Sequence, residues 1–93
     1  MTIEMEPTIL RVGSKTPVPE LASAISHGIY DSKVVVLRAI GAGAVSQGVK
    51  AVAVARGYVA PRGIDLHIRP GFTDVRMNDG DVVTGILLQI MVS

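Results

Sequence analysis

The segment Ala39–Gly63 limits the fold of this chain more than any other. A β-branched run, Lys33–Ile40, ends in Gly41-Ala-Gly43. A helical stretch from about Ala44 to Val59 follows, and its only polar residues are Ser46, Gln47, Lys50 and Arg56. A helix lying on a sheet needs one apolar stripe and is polar elsewhere. This one carries two, with Ala44, Gly48, Ala51 and Ala55 on one side and Val45, Val49 and Val52 on another. Part of that surface is expected to face the sheet and a neighbouring helix. The remainder is expected to meet another copy of the chain across a twofold axis, with Gly48, Ala51, Val52 and Ala55 at the contact.

The rest of the chain fits around this unit. Residues 1–8 lack periodicity and are expected to form a flexible arm ahead of a single domain over 9–93. Ile9–Gly13 reads as a strand with Leu10 and Val12 on one face and Arg11 on the other. Thr16 is a suitable N-cap before Pro17. Val18, Leu21, Ala22, Ile25 and Ile29 then recur at helical spacing up to about Tyr30–Ser32. Ile64–Arg69 alternates as a strand, Pro70-Gly71 is expected to break or bulge it, and Phe72–Arg76 resumes it. The Asp79-Gly80 pair marks a tight hairpin into a last strand, Val82–Val92.

The order β-α-β-α-β-β predicts an α/β fold of the α+β two-layer kind. It comprises a four-stranded mixed sheet with two helices on one face, because βαβ crossovers are right-handed. The other face stays uncovered and carries Arg11, Arg38, His67, Arg69 and Gln89 among Val36, Leu87 and Met91. Asp65 is expected to offset part of that charge and leave a salt-bridged, solvated surface.

Composition narrows the function. There are 93 residues, 48% of them hydrophobic but only 3% aromatic, so the core must be built from Val, Ile, Leu and Ala. Cysteine is absent, which removes disulfides and thiolate chemistry, and two histidines without cysteine make no zinc site. No constellation of nucleophile and base points to catalysis, so neither catalytic residues nor a cofactor or metal is expected. The N-terminus carries two glutamates and no apolar run, and no apolar stretch is long enough to span a bilayer, which points to a cytoplasmic protein with no membrane partner. A net charge of +1 is too small to announce nucleic-acid binding by itself.

The run Ala39–Gly63 and its continuation Ile64-Asp-Leu-His-Ile-Arg-Pro-Gly-Phe-Thr-Asp74 resemble the signature of the stage V sporulation protein S family, over about Leu10 to Val92. The layout also resembles the Alba-like proteins, small dimeric nucleic-acid binders, and the C-terminal domain of translation initiation factor three. Gly13-Ser-Lys-Thr-Pro-Val18 is similar to the Alba loop before the first helix. Gly41-Ala-Gly-Ala-Val-Ser-Gln47 is similar to the Alba turn into the second, with glycines at Gly41 and Gly43 and a glutamine at Gln47 where that pattern has two arginines and a lysine.

The resemblance implies a regulatory protein of cell differentiation that binds DNA or RNA as a homodimer or larger assembly. The contacts would be Lys15 and Lys50 on phosphates, Gln47 and Asn78 as neutral hydrogen-bonding groups, and Arg76 at the hairpin. The acidic hairpin tip, with Asp74, Asp79 and Asp81 around Arg76, is expected to repel phosphates locally, and the apolar second helix, the uncovered sheet face and the missing arginines point instead to a module for a protein partner or small anion. The glycines of the 41–48 turn are read as serving a tight turn, since their spacing matches neither the dinucleotide fingerprint nor the P-loop.

Overall fold

The computed structural model describes residues 7–93, with the element order β1 (Thr8–Val12), α1 (Val18–Tyr30), β2 (Val35–Ala39), α2 (Ala42–Val59), β3 (Leu66–Arg76) and β4 (Val82–Val92). A single 3-10 turn, Ala60–Arg62, joins α2 to Gly63 at φ 75°. Most of the arm expected over residues 1–8 lies outside the described residues, and Thr8 is the first residue of β1.

The strands are ordered β1-β2-β4-β3 in one mixed sheet. β1 and β2 are parallel, while β4 is antiparallel to both β2 and β3. The two crossovers, β1 to β2 and β2 to β3, step across the sheet in the same direction. A shared right hand therefore sets α1 and α2 on the same face. The core lies between layers: Leu21, Ala22, Ile25 and Ile29 of α1 and Ala44, Ala51, Val52, Ala55 and Val59 of α2 meet Val12, Val35, Leu37, Ala39, Leu66, Leu88 and Ile90 of the sheet. The two-layer fold expected from the sequence is thus the fold observed.

Three local expectations are corrected. Pro70-Gly71 does not interrupt β3, whose register with β4 runs unbroken from Leu66↔Val92 to Arg76↔Val82. β3 is an edge strand, where a missing N–H need not cost a ladder bond. Thr16 does not cap α1: Pro17 holds the cap position without a side-chain bond, and the Thr16 hydroxyl accepts the Gly13 N–H at 2.7 Å. The hairpin turn is longer than a two-residue loop. Gly80 N–H donates to Met77 O (3.0 Å), Met77 N–H to Asp81 O (2.7 Å) and Asp81 N–H to Asp79 Oδ1 (2.9 Å), with Gly80 at φ 89°.

Candidate functional site

Parallel β1 and β2 end on the same side of the sheet, so the β1–α1 loop and the entry to α2 are neighbours there. Gln47 ties them together: its Nε2 donates to Thr16 O at 2.9 Å, and Lys50 Nζ donates to its Oε1 at 3.5 Å. Lys15, one residue before Thr16, is exposed on the loop. Lys15, Gln47 and Lys50 therefore share one neighbourhood. Gln47 is half-buried, and its amide braces the loop.

The entry to α2 explains two departures from the Alba pattern. Gly41 is the N-cap at φ 92°, ψ 157°, a region almost closed to residues with a side chain. A Cβ on Gly43 would lie 3.0 Å from Ser14 Cβ, so a side chain there would press on the β1–α1 loop. No side chain caps the first turn of α2. Its leading N–H groups remain the positive end of an 18-residue helix beside Lys15's loop.

The β3–β4 hairpin projects from this same end. The last pair between β2 and β4 is Ala39↔Ile86, so Val82–Gly85 run beyond β2. At ~3.3 Å per residue this is an overhang of about 13 Å. Arg76 ends β3 and Asn78 lies in the turn that follows, both exposed, as are Asp74, Asp79 and Asp81. Topology thus brings all five residues expected to meet nucleic acid to one end of the molecule, in two groups: Lys15, Gln47 and Lys50 at the base, Arg76 and Asn78 at the hairpin tip.

The stripe expected at a subunit contact is revised. Gly48, Ala51, Val52 and Ala55 are buried in the chain's own core. A Cβ on Gly48 would lie 3.2 Å from Leu88 Cδ1 and 3.5 Å from Leu37 Cδ1, so the small residues serve close approach of α2 to its own sheet. The apolar residues α2 leaves exposed are others, among them Val49, Val54 and Tyr58. Val49, Val52 and Ala53 line a groove of ≈ 460 Å³ between α2 and the start of β3, closed by Arg56, Asp65, Leu66, His67 and Ile68.

Contacts that sequence reasoning missed lie around the helix ends. Arg56 Nη2 pairs with Asp65 Oδ1 at 3.1 Å, with both side chains more than half exposed. The Arg62 guanidinium stacks 4.1 Å from the Tyr30 ring centroid, and Tyr30 OH donates to Tyr58 O at 3.1 Å. His67 Nδ1 lies 2.8 Å from Ser93 Oγ. This pair is exposed, and the neighbouring Asp65 carboxylate is engaged by Arg56 rather than by the imidazole. Among the described residues no cluster of His, Cys, Asp or Glu could hold a metal ion, and no helix is long and apolar enough to cross a membrane.

The family model described as Stage V sporulation protein S matches residues 8–93. Among solved structures, the chain is similar to Alba from Thermoplasma volcanium, with a TM-score of 0.60 and 19% sequence identity over 92% of this chain and 99% of that one. At that identity the likeness is one of fold.

Proposed function

The chain belongs to the stage V sporulation protein S family, and from that membership we propose that it is a cytoplasmic, non-enzymatic regulatory protein that binds nucleic acid as a homo-oligomer. One observation carries this reading. The exposed lysine of the β1–α1 loop, the uncapped start of α2, and the overhanging hairpin with Arg76 and Asn78 share one end of the molecule, and Lys50, midway along α2, reaches toward it through Gln47. An array of that kind suits a phosphate backbone: Lys15 and Lys50 supply point charges, and the first-turn N–H groups supply oriented dipoles. Gln47 acts by holding the loop that carries Lys15. Asn78 offers a neutral hydrogen-bonding group at the tip.

Binding by so few cations is weak, and its salt dependence grows by a log–log slope of about 0.9 for each phosphate neutralised. A second copy doubles the array and extends it. The groove beside Val49 and Ala53 is the apolar surface proposed for that contact, in place of the buried stripe.

The test is a fluorescence-polarisation titration of labelled duplex DNA, single-stranded DNA and RNA at two salt concentrations, on protein whose assembly state is set by sedimentation. Lys15→Ala should weaken binding equally across sequences and reduce the duplex log–log salt slope by about 0.9 for each protomer engaged. Failure of the correctly folded, assembled protein to bind any of the three at low salt would end this reading.

A further inference from the structure

The uncovered face of the sheet does not have the neutralised surface expected for it. The carboxylate expected to offset its arginines, Asp65, is turned to the helix layer by its pair with Arg56, the one ion pair among the described residues. Register brings the outward-facing residues into rows. One row runs Ile9, Val36, Gln89, Arg69, and the next runs Arg11, Arg38, Leu87, Gly71. His67 lies opposite Met91 in the row beyond. Neither Asp nor Glu occupies any of these positions.

Arg11 and Arg38 are direct neighbours across parallel strands, whose backbones lie about 4.8 Å apart. Like charges placed directly opposite in a sheet repel. Neither guanidinium has a hydrogen-bond or ion-pair partner among the described residues. At Gly71 the second row lacks a side chain. A hollow of ≈ 170 Å³ opens there between Val36, Arg69, Pro70, Leu87 and Gln89. Ile9 stands 53% exposed at the far end of the first row.

We propose that this face docks an acidic segment of a partner protein, with an apolar side chain seated in the hollow at Gly71 and carboxylates on Arg38–Arg11 to one side and Arg69 to the other. These rows carry three arginines, one methionine and the aliphatic Ile9, Val36 and Leu87, and they lack lysine, the composition of a protein interface. Sequence-tolerant binding of single-stranded nucleic acid stacks bases on aromatic rings. No Phe, Tyr or Trp stands in these rows, since Phe72 pairs with Ile86 on the opposite face and the tyrosines belong to α1 and α2. The bound carboxylates relieve the repulsion between Arg11 and Arg38, and planar guanidinium groups hold carboxylates in a fixed geometry. This surface is distinct from the end that carries Lys15.

The test uses the full chain and three fluorescein-labelled probes: a peptide of glutamates around one central leucine, its glutamine counterpart, and a single-stranded DNA. Binding is read by anisotropy, and its location by methyl NMR of Ile9, Val36, Leu87 and Met91. The acidic peptide should shift these methyls. The pair Arg11→Gln with Arg38→Gln should weaken it about tenfold, roughly threefold for each exposed charge pair. Lys15→Ala should leave the peptide's affinity unchanged. Retention of the Leu37 and Ile90 methyl shifts reports that the variants are folded, and Arg69→Gln on the edge strand repeats the test without touching β1 or β2. The proposal is overturned if the acidic peptide leaves these methyls unmoved, if the glutamine peptide binds as well, if the DNA moves them and the peptide does not, or if the folded arginine variants bind undiminished.

Discussion

Adding one methyl group at Gly28 should destabilise the protein, and shrinking one neighbour should remove most of the damage. Gly28 faces β2 from within α1, and a Cβ built on it would lie 2.6 Å from Val35 Cγ2. Comfortable carbon–carbon contact is about 3.5–4.0 Å, so roughly an ångström must be found. Val35 is fully buried and stiff at χ1, so it cannot turn aside. Alanine gains about 1 kcal/mol over glycine in a helix, whereas overpacking costs about 1–3 kcal/mol. With a clash this deep and a neighbour this rigid, Gly28→Ala should lower stability by about 1–2 kcal/mol net. Val35→Ala alone should cost about 2 kcal/mol through lost burial and a small cavity. In the double variant the new methyl enters the vacated space and the helix gain survives, so the total loss should fall to about 1 kcal/mol. The cycle then yields a coupling of about 2–3 kcal/mol. Urea unfolding followed by circular dichroism, compared at constant m, measures each corner. A Gly28→Ala protein that is more stable, or losses that add within about 0.5 kcal/mol, would refute the steric argument.

Three further outcomes follow from the same geometry. Gly41→Ala should cost about 1–3 kcal/mol because of its backbone conformation, and an unchanged melting temperature would show that the turn adapts. Ala51→Glu places an unpaired charge at a position with no exposure, so helical dichroism should be lost at every protein concentration; a folded monomer would instead return this stripe to the subunit contact. Arg56→Gln removes an ion pair between exposed side chains and should change stability by less than about 1 kcal/mol in a urea titration. A larger loss would mean that this pair fastens α2 to β3.

The order of elements was legible in the sequence because each carries its own local period and its own turn residues. Val18 to Ile29 repeat at helical spacing, Leu66 and Ile68 alternate with His67 and Arg69, and glycines mark the left-handed positions Gly63 and Gly80. The family signature was legible for the same reason, since it lies in contiguous residues. The nucleic-acid candidates could be named singly, but their gathering at one end depends on β1 and β2 running parallel and on how far β4 outruns β2. Tertiary structure also decided three choices that a local pattern leaves open. Pro70 fits because β3 is an edge, a property of strand order and not of the strand itself. Asp65 neutralises Arg56 rather than the sheet arginines, because the chain between α2 and β3 brings it back beneath the helix. Of the two stripes on α2, the small one meets the sheet, where a Cβ on Gly48 would already be tight against Leu88 at 3.2 Å and in contact with Leu37 at 3.5 Å. Periodicity shows that a residue has a face, and only the packing of distant segments determines what that face touches.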